Sequence, residues 1–292
     1  MKIYIMTDME GCAGILNHDE WVLGTGRFYD KGRRILTEEV NAAVEGFLQG
    51  GADEIMVVDG HGAGGIDPLL LHPAARLAGG GAPAPTFPFF LDASFDAAAC
   101  VGQHAKAGTP RSHITHTEWF NWIDLSVNGR SIGEYGTIAL SAMELGLPFI
   151  FAAGEEAFCG EARALTPGVV TVGVKQGVNP DGLDHLTADE YRRAKLAAIH
   201  LSPTVARERI REGARRAMAK LRDKPKSFRY PAFKKPYVLR RKLRQESGQP
   251  PLVQYAFHPT SLIGALNAPW QNAPPGGRTA AGAPVNAAPR QP

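Results

Sequence analysis

Over the first 175 residues, short apolar runs alternate with longer stretches of helical periodicity. Lys2–Met6, Ile55–Val58, Ala97–Val101, Leu147–Ala152 and Val169–Val174 are nearly continuous in apolar side chains, as buried strands are. Between the strands at 2–6 and 55–58, Thr37-Glu38-Glu39 offers an N-cap. Val40, Val44, Phe47 and Leu48 follow on one helical face, and Gly50-Gly51 ends the run. Asp124–Val127 and Arg130–Ile132 flank Asn128-Gly129, which predicts a hairpin with a type I′ turn. Glu134–Leu145 reads as a helix closed by Gly146. Ser202-Pro203 supplies the N-cap and first turn of another, running to about Leu221. The alternation predicts an α/β fold with an open, mostly parallel sheet flanked by helices.

Pro83 to Pro88 reads as a proline-rich loop, and beyond Lys224 the periodic signals weaken. After Pro269 the chain is Ala, Pro, Gly and Asn with almost no large apolar side chain. Such a segment buries too little surface to offset its ordering entropy, so residues 269–292 are expected to be a disordered tail.

Composition narrows the class. A chain of 292 residues with 44% apolar and 21% charged residues fits one large globular domain or two modest ones. Cys12, Cys100 and Cys159 form an odd set with no C-x-x-C spacing, which argues for free thiols and a reducing compartment. Met1–Met6 is too short for a signal sequence, and no run reaches the ~20 apolar residues of a membrane helix. A cytoplasmic protein with no membrane partner is expected. The net charge of +3 hides an asymmetry. Residues 205–244 hold 16 Lys/Arg against 3 Asp/Glu, so the remainder carries −10. Without interleaved aromatic residues or a binding motif, this stretch reads as a solvated helix face and loop, or a contact with an acidic neighbour, and not as a nucleic-acid surface.

The candidate chemistry sits just past strand ends. Lys2–Met6 runs into Asp8-Met9-Glu10-Gly11, Ile55–Val58 into Asp59-Gly60-His61, and Ala97–Val101 into Gly102-Gln103-His104. In an open α/β sheet these ends share one edge, where ligands bind. Asp8 and Glu10 are two apart, so on an extended continuation both face one side. With His61, His104 and Glu134, which follows Gly133 at a helix start, they supply three carboxylates and two imidazoles. That donor count suits two zinc ions with positions left open for water.

Two other motifs compete. Gly60-His61-Gly62-Ala63-Gly64-Gly65 matches a dinucleotide fingerprint, but Pro68 interrupts the helix it needs and Gly79-Gly80-Gly81 replaces its acid. Gly129-Arg130-Ser131-Ile132-Gly133 matches the elbow of a serine hydrolase, with Asp181, Asp184, His185 and His258 downstream. Asn128-Gly129 makes Ser131 more simply part of a hairpin's return strand. A serine hydrolase using Ser131 and a non-catalytic dipeptide-binding protein stand as alternatives.

Asp8-Met9-Glu10-Gly11, Asp59-Gly60-His61, Gly102-Gln103-His104-Ala105, Thr115-His116-Thr117 and Gly133-Glu134-Tyr135-Gly136 stand in the order and spacing of the zinc D-aminopeptidases of bacterial dipeptide-transport operons. Arg33–Asn41, Leu71-His72-Pro73 and Val174-Lys175-Gln176 are similar to that family too, over about residues 1–200. The resemblance implies an α/β catalytic region over 1–268, with a smaller α/β subdomain inserted around 75–130. It implies two Zn²⁺ per chain: Asp8 bridging, Glu10 and His61 on one ion, His104 and Glu134 on the other. His116 resembles the catalytic histidine, with His113 three residues earlier as the alternative. It implies hydrolysis of short peptides or amides at a free amino-terminal D-residue such as D-Ala, through a zinc-activated hydroxide. It also implies a homo-oligomer, a decamer of two pentamers. From Pro225 onward the chain looks unlike the family.

Overall fold

The computed structural model describes residues 1–79, 86–245 and 249–276. The main sheet holds β1 (Lys2–Thr7), β2 (Glu54–Asp59), β3 (Ala75–Ala78), β4 (Ala97–Gln103), β7 (Phe149–Glu155), β8 (Val170–Gly177) and β9 (Ala198–His200) in the order β3-β2-β1-β4-β7-β8-β9. Every neighbouring pair is parallel except β8 and β9. A smaller antiparallel sheet, β11-β10-β5-β6, is built from β5 (Trp122–Val127), β6 (Arg130–Ile132), β10 (Tyr237–Leu243) and β11 (Leu252–His258). The helices are α1 (His18–Trp21), α2 (Tyr29–Gln49), α3 (Glu134–Glu144), α4 (Glu156–Leu165), α5 (Ala188–Ala194), α6 (Pro203–Asp223) and α7 (Leu262–Leu266). None of the described helices is long and apolar enough to cross a membrane. The three cysteines are free and buried.

The strand alternation sorts side chains into two cores. Ile3, Ile5, Ala97, Ala99 and Val101 face α2 and α6, joining Val40, Val44, Phe47 and Ile210. Tyr4, Met6, Ala98 and Cys100 point the other way, into a core with Ile138, Phe149, Phe158, Leu239 and Leu262. Both faces of the sheet are covered, which is why its strands read as unbroken apolar runs.

Several expectations shift. α2 begins at Tyr29 and not at Thr37. Thr37 Oγ1 donates to the Arg33 carbonyl at 2.8 Å inside the helix, a bond that competes with its use as a cap. The smaller sheet takes its strands from 122–132 and 237–258, so it is not confined to an insertion around 75–130. Its strands β10 and β11 lie in the region where the sequence signals fade. Their register pairs Leu239 with Val127 and Ala256, and Arg241 with Leu125 and Gln254. The hairpin turn is as expected, with positive φ at Asn128 (48°) and Gly129 (82°). Part of the basic stretch is neutralised within the chain. Arg207 and Arg211 of α6 pair with Glu38 and Glu45 of α2.

The first residues of the segment expected to be disordered, 270–272, are instead tied to the smaller sheet. The Trp270 ring meets Trp122 edge to face at 5.8 Å, and Gln271 and Tyr255 exchange backbone hydrogen bonds of 2.7 Å. Residues 277–292 lie outside the described residues, as do 80–85 of the proline-rich loop.

Candidate metal centre

The chain leaves β1 toward β2 and β3, then returns to β4 on β1's other side. The crevice past the carboxyl ends of β1 and β4 is thus the topological switch point, the place where such sheets bind ligands. Two glycines let the strand ends touch there. A Cβ on Gly102 (φ +80°) would stand 1.8 Å from the Asp8 carbonyl oxygen, and one on Gly11 2.0 Å from that of Gln103. The Gly11 amide instead donates to the Gly102 carbonyl at 2.7 Å. Asp8 and Glu10 are thereby held against the end of β4.

Five loops converge on this point. His61 rides on the turn after β2, which the Asp59 carboxylate ties down by accepting from the Gly65 and Ile66 amides at 2.9 Å. This is the work of the glycine-rich run: it shapes the loop that carries the candidate ligand His61, and no helix follows. His104 ends β4. His116 lies in the segment before β5, and Glu134 is the first residue of α3. Beneath them Glu155, fully buried, accepts from the Ala105 and His113 amides, bracing the His104 and His116 segments together. Lys175, buried on β8, donates to the Glu10 carbonyl.

The carboxylates and imidazoles divide into two sets around Asp8. Asp8 Oδ1 lies 3.3 Å from His61 Nδ1, which is 3.5 Å from Glu10 Oε2. Asp8 Oδ2 lies 3.2 Å from His104 Nε2, which is 3.5 Å from Glu134 Oε1. His116 Nε2 stands between the sets, 3.7 Å from Glu10 Oε1 and 4.0 Å from Glu134 Oε1. By distance alone His116 could serve as a ligand as well: donor atoms of His104, His116 and Glu134 lie within 4.8 Å of one another, as do those of Asp8, Glu10 and His104.

The far nitrogens decide what these near nitrogens offer. His61 Nε2 donates to the Val22 carbonyl at 3.0 Å, His104 Nδ1 to Ala105 at 2.9 Å, and His116 Nδ1 to Ile114 at 2.8 Å. A carbonyl only accepts, so each far nitrogen carries a proton, and any ring that is neutral turns a lone pair toward a carboxylate. Acceptor faces acceptor unless a cation lies between. Glu10 Oε2 and His104 Nε2 are buried with no conventional hydrogen-bond partner among the described residues. The charge balance says the same. With no cation between them, Glu10 and Asp8 drive His61 up to about 12 against its burial, so the ring itself would have to carry the positive charge that a metal ion would otherwise supply. Burial likewise raises the Asp8 carboxyl, but the facing His104 and His61 hold it well below the ordinary carboxylate range. Three clustered carboxylates demand positive charge, and the donor set fits divalent zinc.

His113 is placed elsewhere. Its Nε2 bonds to the Leu16 carbonyl at 3.1 Å, and burial lowers its pKa to about 2. Ser131 stands on β6, accepts from Lys106 Nζ at 2.6 Å and donates to Asp124. It has no imidazole partner among the described residues and does not sit on a strand-to-helix elbow.

Some site residues carried no role in the sequence reading. Gln103 Nε2 donates to Asp8 Oδ2 at 2.8 Å and Glu134 Oε2 at 3.2 Å; its place in a strand-end motif was the available signal. The Glu118 amide donates to Glu134 Oε1 at 2.7 Å, and Glu118 lines a pocket of about 410 Å³ over the candidate ligands. Buried His18 also lines it, edge-on to Phe120 at 4.8 Å and pushed down by burial to about 4, so it is neutral at pH 7. Phe87, Phe89 and Trp119 complete the mouth. Nothing in the sequence singled out His18 or the two phenylalanines.

The chain is similar to known proteins. A curated D-aminopeptidase of Bacillus subtilis (strain 168) is 35% identical over 182 residues, 61% of this chain and 65% of that protein, just under two thirds of its length. A solved structure described as the Zn-dependent D-aminopeptidase DppA from Bacillus subtilis, a self-compartmentalizing protease, superposes with a TM-score of 0.73 at 28% identity. That likeness covers 84% of this chain and 82% of the other. The profile of the D-aminopeptidase family matches residues 1–248, and the chain belongs to that family.

Proposed function

We propose that this protein is a zinc-dependent aminopeptidase that removes the amino-terminal residue, a D-amino acid such as D-Ala, from short peptides or amides at a dinuclear centre. The observation that carries the reading is the three imidazoles whose near nitrogens converge on Asp8, Glu10 and Glu134 at 3.2–4.0 Å. Asp8 is the bridging ligand in this proposal, with Glu10 and His61 on one side and His104 and Glu134 on the other. The split is supported by the two carboxylate oxygens of Asp8, each of which faces a different imidazole.

Bound there, zinc would supply Lewis-acid polarisation of the scissile carbonyl and lower the pKa of a water. The side chains do the rest. His116 is the proton-moving group, because its Nε2 is the most distant of the three near nitrogens from the carboxylates and faces the pocket. Gln103 orients Asp8 and Glu134. Glu118 attracts the substrate's free ammonium at the pocket wall. The similarity to a structure described as a self-compartmentalizing protease favours a homo-oligomer, which in the family's pattern is a decamer of two pentamers. Three free buried thiols favour a cytoplasmic setting.

Elemental analysis of purified protein should find about two zinc ions per chain, both lost in Asp8→Ala. Turnover of D-Ala p-nitroanilide should exceed that of the L-form, stop on chelation, require a free amine and survive Ser131→Ala. One metal or none per chain, an L-preference, or equal rates on N-acetylated substrates would each overturn the corresponding part. Light scattering reads the assembly.

A further inference from the structure

A second cavity of about 230 Å³ opens beside the metal pocket. Trp122, Leu125, Leu239, Leu266 and Trp270 wall it. Phe87, Phe89, Glu118 and Thr137 line both spaces, so the two are neighbours separated by these side chains at most. Apart from Glu118 and Thr137 the lining is apolar.

The junction lies close to the chemistry. Thr137 is one turn along α3 from Glu134 and donates from Oγ1 to its carbonyl at 2.7 Å. Three residues of helix rise about 4.5 Å, within one side-chain length. Among the described residues the Glu118 carboxylate has no hydrogen-bond or ion-pair partner, while its amide holds Glu134. The walls are preformed. The Arg241 guanidinium lies 4.3 Å from the Trp270 ring centre and 5.0 Å from that of Trp122. Glu144 of α3 accepts from Ser261 Oγ at 2.6 Å and the Ile263 amide at 2.9 Å, fixing the start of α7 and with it Leu266. Leu266 and Trp270 fall beyond residue 248, where the family match ends.

We propose that this cavity is the subsite for the side chain of the substrate's amino-terminal residue, and that it selects a large aromatic or branched aliphatic side chain over alanine. The inference rests on the aminopeptidase reading and replaces its example of alanine with a bulkier amino-terminal residue. An ammonium held by Glu118 carries its own Cα substituent into the adjoining space. A volume of 230 Å³ is below the ~300–1,000 Å³ of pockets that take whole ligands, and suits one side chain. Alanine would leave most of that apolar wall uncovered, and each methylene bound there is worth roughly 10- to 200-fold in kcat/KM.

The test is a series of free-amine alanyl, leucyl and phenylalanyl p-nitroanilides, in both hands, on the zinc-loaded full chain. The leucyl or phenylalanyl amide is expected to exceed the alanyl amide in kcat/KM by at least ~10-fold. Leu266→Trp, which fills the cavity, should cut the phenylalanyl-to-alanyl ratio by at least ~10-fold. A readout without turnover is tryptophan fluorescence, which phenylalaninamide should perturb saturably at concentrations where alaninamide does not. Alanyl amides turned over as fast as phenylalanyl ones, a ratio unmoved in folded Leu266→Trp, or equal perturbation by the two amides would overturn the subsite alone. No turnover of any amide in either hand would overturn the aminopeptidase reading itself.

Discussion

The His104 and His116 rings stack, with centroids 3.9 Å apart and planes 16° apart. Two imidazolium cations would repel in this arrangement, so at least one ring is neutral. His104 Nε2 lies 3.2 Å from Asp8 and is fully buried, as a ligand is, whereas His116 Nε2 keeps a longer reach into the pocket. His116→Ala should therefore retain metal while kcat falls by about 10²–10⁴-fold. His104→Ala should lose metal together with activity. Metal content measured beside kcat decides it, since loss of metal in His116→Ala would make that residue a ligand.

Gln103 holds two of the proposed ligands with one amide, at 2.8 Å to Asp8 and 3.2 Å to Glu134. Removing such a partner leaves the ligands present but free to turn. Gln103→Leu is expected to weaken zinc affinity by about 10- to 100-fold with the fold intact. Competition against a chromophoric chelator measures it. Affinity equal to wild type would show that Asp8 and Glu134 are oriented by the metals alone.

Much of the main sheet was legible because both its faces are buried, so the strands at 2–6, 55–58 and 97–101 are nearly continuous in apolar side chains. The same reading located Asp8, His61 and His104, since strand ends at a switch point gather by topology. The smaller sheet was less legible. In Tyr237–Leu243 the alternation of Tyr237, Leu239 and Leu243 is overlaid by Arg240, Arg241 and Lys242, whose charges dominate composition although Arg241 covers the Trp122 and Trp270 rings. Trp270 was hidden in the same way, a single anchoring ring in a segment of Pro, Ala and Gly. Periodicity has no means of finding His18 or Phe89, because their roles depend on loops meeting.

Glu39 is a buried carboxyl away from the metal ligands. Its Oε1 accepts from the Ala13 amide at 2.9 Å, and its Oε2 has no hydrogen-bond partner among the described residues. Burial raises its pKa to about 7, partly opposed by the Ala13 amide, Cys12 and Lys175, the groups that face it. In the unfolded chain it ionises near its ordinary value of 4.5. Below that pH both states are protonated and the group is neutral toward stability. As pH rises to about 7 only the unfolded chain gives up the proton, so stability falls, levelling off above the folded pKa. Glu39→Gln should remove this fall. Relative to wild type it should gain on the order of 3 kcal/mol between pH 5 and pH 8. Urea unfolding of both proteins at each pH gives the difference, in which groups common to both cancel. A difference independent of pH would show that Glu39 is ionised throughout.

The C-terminal boundary gives the last prediction. Trp270 packs on Trp122 and under Arg241, Gln271 and Tyr255 exchange two hydrogen bonds, and Gln254 donates to Asn272 at 2.9 Å. These contacts tie the end of the chain to the smaller sheet. Residues 277–292 contain no aromatic and a single large aliphatic residue, Val285. A chain ending at Gly276 should match the full protein in melting temperature and turnover. A chain ending at Ala268 loses an aromatic pair worth about 0.5–1.5 kcal/mol, a cation–π contact of about 0.5–1 kcal/mol and hydrogen bonds of about 1 kcal/mol each. Its melting temperature should drop by several degrees, at roughly 2–4 °C per kcal/mol. It also loses one wall of the apolar cavity, so its preference for phenylalanyl over alanyl amides should shrink more than its alanyl turnover. Scanning calorimetry and the paired kcat/KM values test both effects. Equal melting temperatures for the two truncations would mean that Trp270 contributes nothing to the sheet it covers.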